Sequence, residues 1–158
     1  VKNIALALAV LAAAASSSAA WEYRGFRSGM SIDEASAASR TQGGLHPAEG
    51  IDGLYSLGPP ATSRTNMSFC QGTLFALNVS LDGGVNAFAQ TTKELIATHG
   101  NPVARAIHDY TDSGLLSSVS LDWMIAPGET TSASITDWER GTTINRGFSA
   151  FDALCQRN

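Results

Sequence analysis

Two tight turns constrain this chain more than any other feature. Gln71-Gly72 separates "TNMSFC" from "TLFALNVSL", and Pro127-Gly128 separates "SVSLDWMIA" from "ETTSASITDW". Short apolar runs on either side of a glycine-containing pair read as antiparallel hairpins. In the first, a two-residue turn sets Cys70 opposite Thr73 and Phe69 opposite Leu74. Strict alternation then places Phe75, Leu77, Val79 and Leu81 on one face with Cys70, and Met67, Phe69, Leu74 and Ala76 on the other. Both faces are partly apolar, so such a sheet needs cover on two sides. In the second hairpin, with Ala126 opposite Thr131, a core face collects Val119, Leu121, Trp123, Ile125 and Trp138. The opposite face carries Ser120, Asp122, Met124, Ile135 and Asp137, a mixture that suits a solvated face or a modest binding surface.

Helices enter through their caps. Ser31-Ile32-Asp33-Glu34 is a capping box, in which the serine oxygen accepts from the Glu34 N–H and the Glu34 carboxylate accepts from the Ser31 N–H. Such a cap is worth about 1 kcal/mol. The helix should run from Ile32 to about Gln42, with Gly43-Gly44 as its stop and Pro47 beyond. Thr91-Thr92-Lys93-Glu94 is a second box of the same form, followed by Gly100 and Pro102. Two such sets point to an internal duplication, with the alternative that every helix needs a cap. "IDGLYSL" reads as a strand broken by Pro59-Pro60, and the tail from Gly141, with Phe148, Phe151 and Leu154, fits strand or helix. The expected fold is α+β: short helices packed on antiparallel sheet in one domain over 21–158, with two tandem helix-sheet units, 21–84 and 85–158, as one arrangement of it.

The first twenty residues have the layout of a secretory signal peptide: Lys2, an apolar run from Ile4 to Ala15, then small residues up to Ser18-Ala19-Ala20 before Trp21. The run is too short to cross a bilayer, for which about 20 residues are usual, and no later stretch reaches that length, so no integral membrane span is expected. The chain holds ten Lys and Arg, one of them Lys2, against fourteen Asp and Glu. That balance disfavours nucleic acid and anionic membrane as partners, because both need clustered cations. Cys70 and Cys155 are the only cysteines. In a periplasmic or secreted chain they read as a disulfide, while the alternative, a reactive thiol, lacks a histidine near either one in sequence.

Few residues carry the pattern of a reactive site. His46, His99 and His108 are the only histidines, and none is spaced from another as a metal cluster requires, so no metal and no cofactor is expected. His99 is explained by the carbonyl end of a helix, and His108-Asp109 lies in a strand, where neighbours point to opposite faces. No nucleophile elbow and no phosphate-binding glycine loop occurs. Asn66-Met67-Ser68 and Asn78-Val79-Ser80 match the glycosylation triplet but fall inside strands. Asp122 and Asp137 share a face in this register and make a carboxylate pair for a small hydrolase the alternative to a non-catalytic protein. Trp21 and Tyr23, next to the cleavage point, join Asp122, Met124 and Asp137 as the expected interaction surface.

"GMSIDEA" at Gly29 to Ala35, with "TTKELIATHGNP" at Thr91 to Pro102, resembles the opening of units in small bacterial envelope proteins of the barrel-assembly lipoprotein type and in secreted beta-lactamase inhibitory proteins. The resemblance implies short helices over an antiparallel sheet and action by binding another protein. Two departures stand beside it: no lipid-acceptor cysteine follows the leader, and a Cys70–Cys155 bridge would join the units instead of stapling each. The expected function is an exported, non-catalytic module that binds a protein in the envelope or outside the cell, with a secreted inhibitor of a hydrolase as the alternative.

Overall fold

The computed structural model describes residues 21–111, 114–138 and 141–150. The expected leader covers 1–20, and Phe151, Leu154 and Cys155 fall on 151–158, so these readings lie outside the described residues. The described chain opens with a small hairpin, β1 (Glu22–Tyr23) and β2 (Phe26–Arg27). Helix α1 (Ile32–Ser39) follows, tightened by a 3-10 turn over Arg40–Gln42 and stopped at Gly43, whose φ is 94°. Its box forms as the sequence predicts: the Glu34 N–H donates to Ser31 Oγ at 3.2 Å, and the Ser31 N–H donates to Glu34 Oε2 at 2.8 Å. The bond from the Ser31 backbone, then that from its hydroxyl, holds the Glu34 carboxyl below its usual range.

Four strands then meander: β3 (Leu45–Pro47), β4 (Leu54–Leu57), β5 (Thr65–Cys70) and β6 (Thr73–Leu81). Helix α2 (Gly84–His99) leads into a second meander of β7 (Val103–Thr111), β8 (Gly114–Ala126), β9 (Glu129–Trp138) and β10 (Gly141–Ala150). All eight strands make one sheet of order β3-β4-β5-β6-β10-β9-β8-β7. The last strand of each meander therefore meets the other at a central seam, from Ile144 opposite Leu81 to Ser149 opposite Ala76.

This architecture is mainly β and corrects the α+β expectation: strand makes up 53% and helix 22% of the described residues, and eight of the strands form one continuous antiparallel sheet. One local reading accounts for part of the difference, and a second moves the start of a helix. "GTTINRGFSA", left open between strand and helix, is β10, because Ile144, Arg146 and Phe148 alternate onto one face and the strand has a partner on each side. Thr91-Thr92-Lys93-Glu94, read as a helix start, lies in the middle of α2, which begins at Gly84 behind Gly83. Thr91 is buried instead of capping. Burial of Leu95 against Trp123 and Ala133, with Phe88 beside them, holds the helix on the sheet, and such packing outweighs local start signals. The end of α2 does fall at Gly100.

Two β-bulges decide which side chains enter the core. Gln71-Gly72 makes the expected turn, with positive φ at both residues, and Cys70 and Phe69 meet Thr73 and Leu74 as the sequence predicts. Beyond that point, Ser68 pairs with Ala76, so Phe75 has no partner on β5. The extra residue reverses the alternation of β6. Met67, Phe69, Leu74, Leu77 and Val79 consequently all point to one buried face, and the two-sided apolar sheet resolves into one apolar side. In the second hairpin Ala126 pairs with Glu129 and Met124 with Thr130, leaving Ile125 as the bulged residue. The register with Ala126 opposite Thr131 is thereby corrected. Ile135 joins the covered face opposite Val119, while Trp138 moves to the other face opposite Leu116.

The covered face carries the core. Trp21, Phe26, Met30 and Ala35 pack on Met67, Leu77 and Phe148 over the first meander and the seam. On the second meander, Trp123 lies under α2 and its Nε1–H donates to the Gly100 carbonyl at 2.8 Å. Gly53 shows how tightly β4 is set: it has φ 73°, its carbonyl accepts from the Phe69 N–H at 2.7 Å, and an added Cβ would run into the Phe69 carbonyl oxygen.

Candidate functional site

With both helices on one side, the opposite side of the sheet is left bare among the described residues. Its side chains come from the alternate positions of each strand, and on β9 these are Thr130, Ser132, Ser134 and Thr136. Across the seam the same face presents Asn78 and Ser80 on β6, then Asn66 and Ser68 on β5. Short polar side chains of this kind tolerate water on a sheet face that no element covers.

At the seam the face dips into a shallow trough of about 410 Å³, lined by Asn66, Ser68, Asn78, Ser132 and Ser134 with Gly147 in β10 among them. Gly147 stands opposite Asn78 on one side and Ser132 on the other. Any Cβ there would press on the Ser132 hydroxyl, so the missing side chain is what lets these strands carry a depression. Ser56 Oγ donates to Asn66 Oδ1 at 3.3 Å and Ser80 Oγ to Asn145 Oδ1 at 2.9 Å, which fixes polar groups at the margin. None of the eleven lining residues is titratable. The trough therefore offers hydrogen bonds and shape, with no acid, base or nucleophile pair inside it.

Toward β7 the bare face changes character. Val103 is 69% exposed, Ile107 57% and Met124 76%, and Trp138 at the far end of β9 is 37% exposed. Between them the Arg105 Nε–H donates to Asp122 Oδ2 at 2.7 Å, and Ser120 Oγ donates to Asp122 Oδ1 at 3.1 Å. The result is a polar centre with apolar groups at its rim.

The residues expected at an interaction surface divide three ways. Asp122 and Met124 do lie on the bare face. Asp137 faces the covered side at the open end of β9, opposite Ser117, and accepts from Thr142 Oγ1 at 2.7 Å. Trp21 is only 2% exposed and Tyr23 is half-buried, both with their rings against Phe148 at centroid distances of 5.6 and 5.4 Å. Trp21 is a core side chain and Tyr23 packs against the core, because the β1–β2 hairpin folds them back over the seam, and the exposed placement of Trp21 is corrected.

The carboxylate pair is also taken apart. Asp122 stands opposite Ser132 and Asp137 opposite Ser117, on opposite faces of the sheet and separated along β8 by about 17 Å at the usual strand rise. They cannot share a substrate. His108 Nδ1 lies 2.8 Å from Ser117 Oγ, a contact the sequence did not announce, because cross-strand neighbours appear only once register is known. Ser117 stands between His108 and Asp137 in the ladder, so the acid has no direct hold on the imidazole. No group of three or more His, Cys, Asp or Glu suited to a metal ion occurs among the described residues.

Gly147 and the serines of β9 were missed by sequence reasoning. Their signal was present in "TTSASIT", where Ser and Thr recur at every second position, and in a glycine placed inside the alternating run of β10. No family model, curated protein or solved structure matches the chain.

Proposed function

We propose that this chain is an exported, non-catalytic module that binds another protein of the bacterial envelope or the extracellular space through the bare face of its sheet. One observation carries the reading: both described helices lie on one side, and the other side presents a shallow polar trough with exposed Met124, Val103, Ile107 and Trp138 around it. Protein interfaces draw their affinity from a few large side chains that a partner can desolvate, set beside polar groups that fix register. A trough this open encloses a small ligand poorly.

The resemblance drawn from Gly29 to Ala35 points the same way, and an inhibitor of a hydrolase is one form of the same proposal, distinguished by block of a single enzyme at equal molar dose. The separation of Asp122 from Asp137 weighs against the carboxylate hydrolase. No described helix is long and apolar enough to cross a membrane. The proposed setting is the periplasm or the cell exterior.

The test is capture of a partner from the envelope or secreted fraction by wild-type chain and by two variants. Asn78→Arg with Ser134→Arg fills the trough with charge and is expected to weaken capture at least about tenfold, while the urea midpoint stays put. Ala97→Arg, on the exposed side of α2, should leave capture unchanged. Retained capture by the trough variant together with its loss in the helix variant would assign binding to the wrong side of the molecule.

A further inference from the structure

The two edges of the sheet are guarded very differently. Strand β3 has only three residues and ends in Pro47, which has no N–H to offer a neighbour. Strand β7 has nine residues, no proline and an uninterrupted register against β8, and among the described residues no strand pairs with its other side. Val103 and Ile107 on it are 69% and 57% exposed. A long regular edge with large apolar side chains is a template for another strand.

The sequence of β7 says which strand fits. When "VARAIHDYT" pairs antiparallel with itself about Ile107, Ile107 meets the partner's Ile107, Val103 meets the partner's Thr111, and Arg105 stands opposite the partner's Asp109. The same contacts repeat through the two-fold axis. Val103, Arg105 and Ile107 share the bare face with Asp122, so the faces of the two copies become continuous. Moving the axis to Ala106 sets Arg105 opposite Ile107, and moving it to His108 sets Ile107 opposite Asp109. Only the register about Ile107 matches both charge and apolarity, and cross-strand pairs of these two kinds are the ones that stabilise antiparallel ladders.

We infer that β7 is a homodimer interface: two copies of this chain join edge to edge about Ile107 and extend the sheet from eight strands to sixteen. The inference is independent of what binds the bare face. A closed two-fold contact of this kind uses up the exposed edge in both subunits.

Sedimentation equilibrium of the full mature chain reads the outcome. Wild type is expected to dimerise at hundreds of micromolar, and Ile107→Lys, which sets two like charges face to face, should raise the dissociation constant at least about tenfold. Arg105→Asp alone and Asp109→Arg alone should each be monomeric, whereas an equal mixture of the two restores dimers, because each variant supplies the charge the other lacks. A misfolded variant cannot be rescued in this way. A monomeric wild type, a dimer indifferent to Ile107→Lys, or no recovery on mixing overturns the proposal, and capture of a foreign peptide by a monomeric β7 would assign the edge to a different occupant.

Discussion

Phe148→Ala is expected to cost about 4 kcal/mol of folding stability, a large fraction of what a domain of this size has in total. Phe148 is 6% exposed on β10, opposite Leu77 across the seam and Thr131 on its other side. Its ring touches Trp21 and Tyr23, and the Arg146 guanidinium sits 5.1 Å from its centroid. Truncation therefore leaves a cavity where three parts of the chain meet: the β1–β2 hairpin, the first meander and the second. Urea denaturation measures the loss as a lower midpoint. Phe148→Leu keeps most of the volume and should lose less than half as much. A loss below about 1 kcal/mol for the alanine variant would mean that the seam is not where the two meanders are held together.

The second large effect concerns the proposed Cys70–Cys155 bridge. Cys70 ends β5, next to the Gln71-Gly72 turn. Strand β10 runs toward that same end of the sheet, since its Ser149 is opposite Ala76. Residues 151 to 155 reach up to about 17 Å when extended, enough to cross two strand spacings of about 4.8 Å. Closing so long a loop restricts the unfolded chain, and Cys70→Ser is expected to lower stability by roughly 4 kcal/mol in non-reducing buffer. Reduction should bring wild type down to the level of the variant and leave the variant unmoved. Alkylation of the denatured protein, prepared without reductant, that modifies two thiols instead of none would remove the bridge from the account.

Much of the local structure was legible in the sequence because its causes are local. The Ser31–Glu34 box, the αL stop at Gly43, the Gln71-Gly72 turn with its first two cross-strand pairs, and the end of α2 at Gly100 each depend on a few consecutive residues. The facing of the strands was not, because one unpaired residue reverses it. Nothing in the identities of Phe75 or Ile125 marks them as bulges, yet their positions send Leu77 and Val79 inward beside Phe69 and turn Trp138 away from the core. The second bulge follows Met124 and precedes a Pro127-Gly128 turn with positive φ at Gly128, a type II pattern whose twist splays strands unless the ladder adjusts. The trough depends on both halves meeting at β6 and β10. That seam could be read only once β10 was known to be a strand. Trp21 shows the same dependence in reverse: beside the expected cleavage point it looks exposed, and only the hairpin that follows buries it.

The position of the seam also sets an order of events for the chain before it is native. Each meander joins strands that follow one another closely, whereas β6 and β10 bring together residues as distant in sequence as Ser80 and Asn145. Long closures are slow, because chain entropy is lost before the contact repays it. The halves are thus poised to organise separately and dock last, and until they do, each shows a raw central strand to the solvent. Mutations at Ile144 or Phe148 should then speed unfolding while scarcely changing the folding rate, a pattern that stopped-flow chevrons would expose.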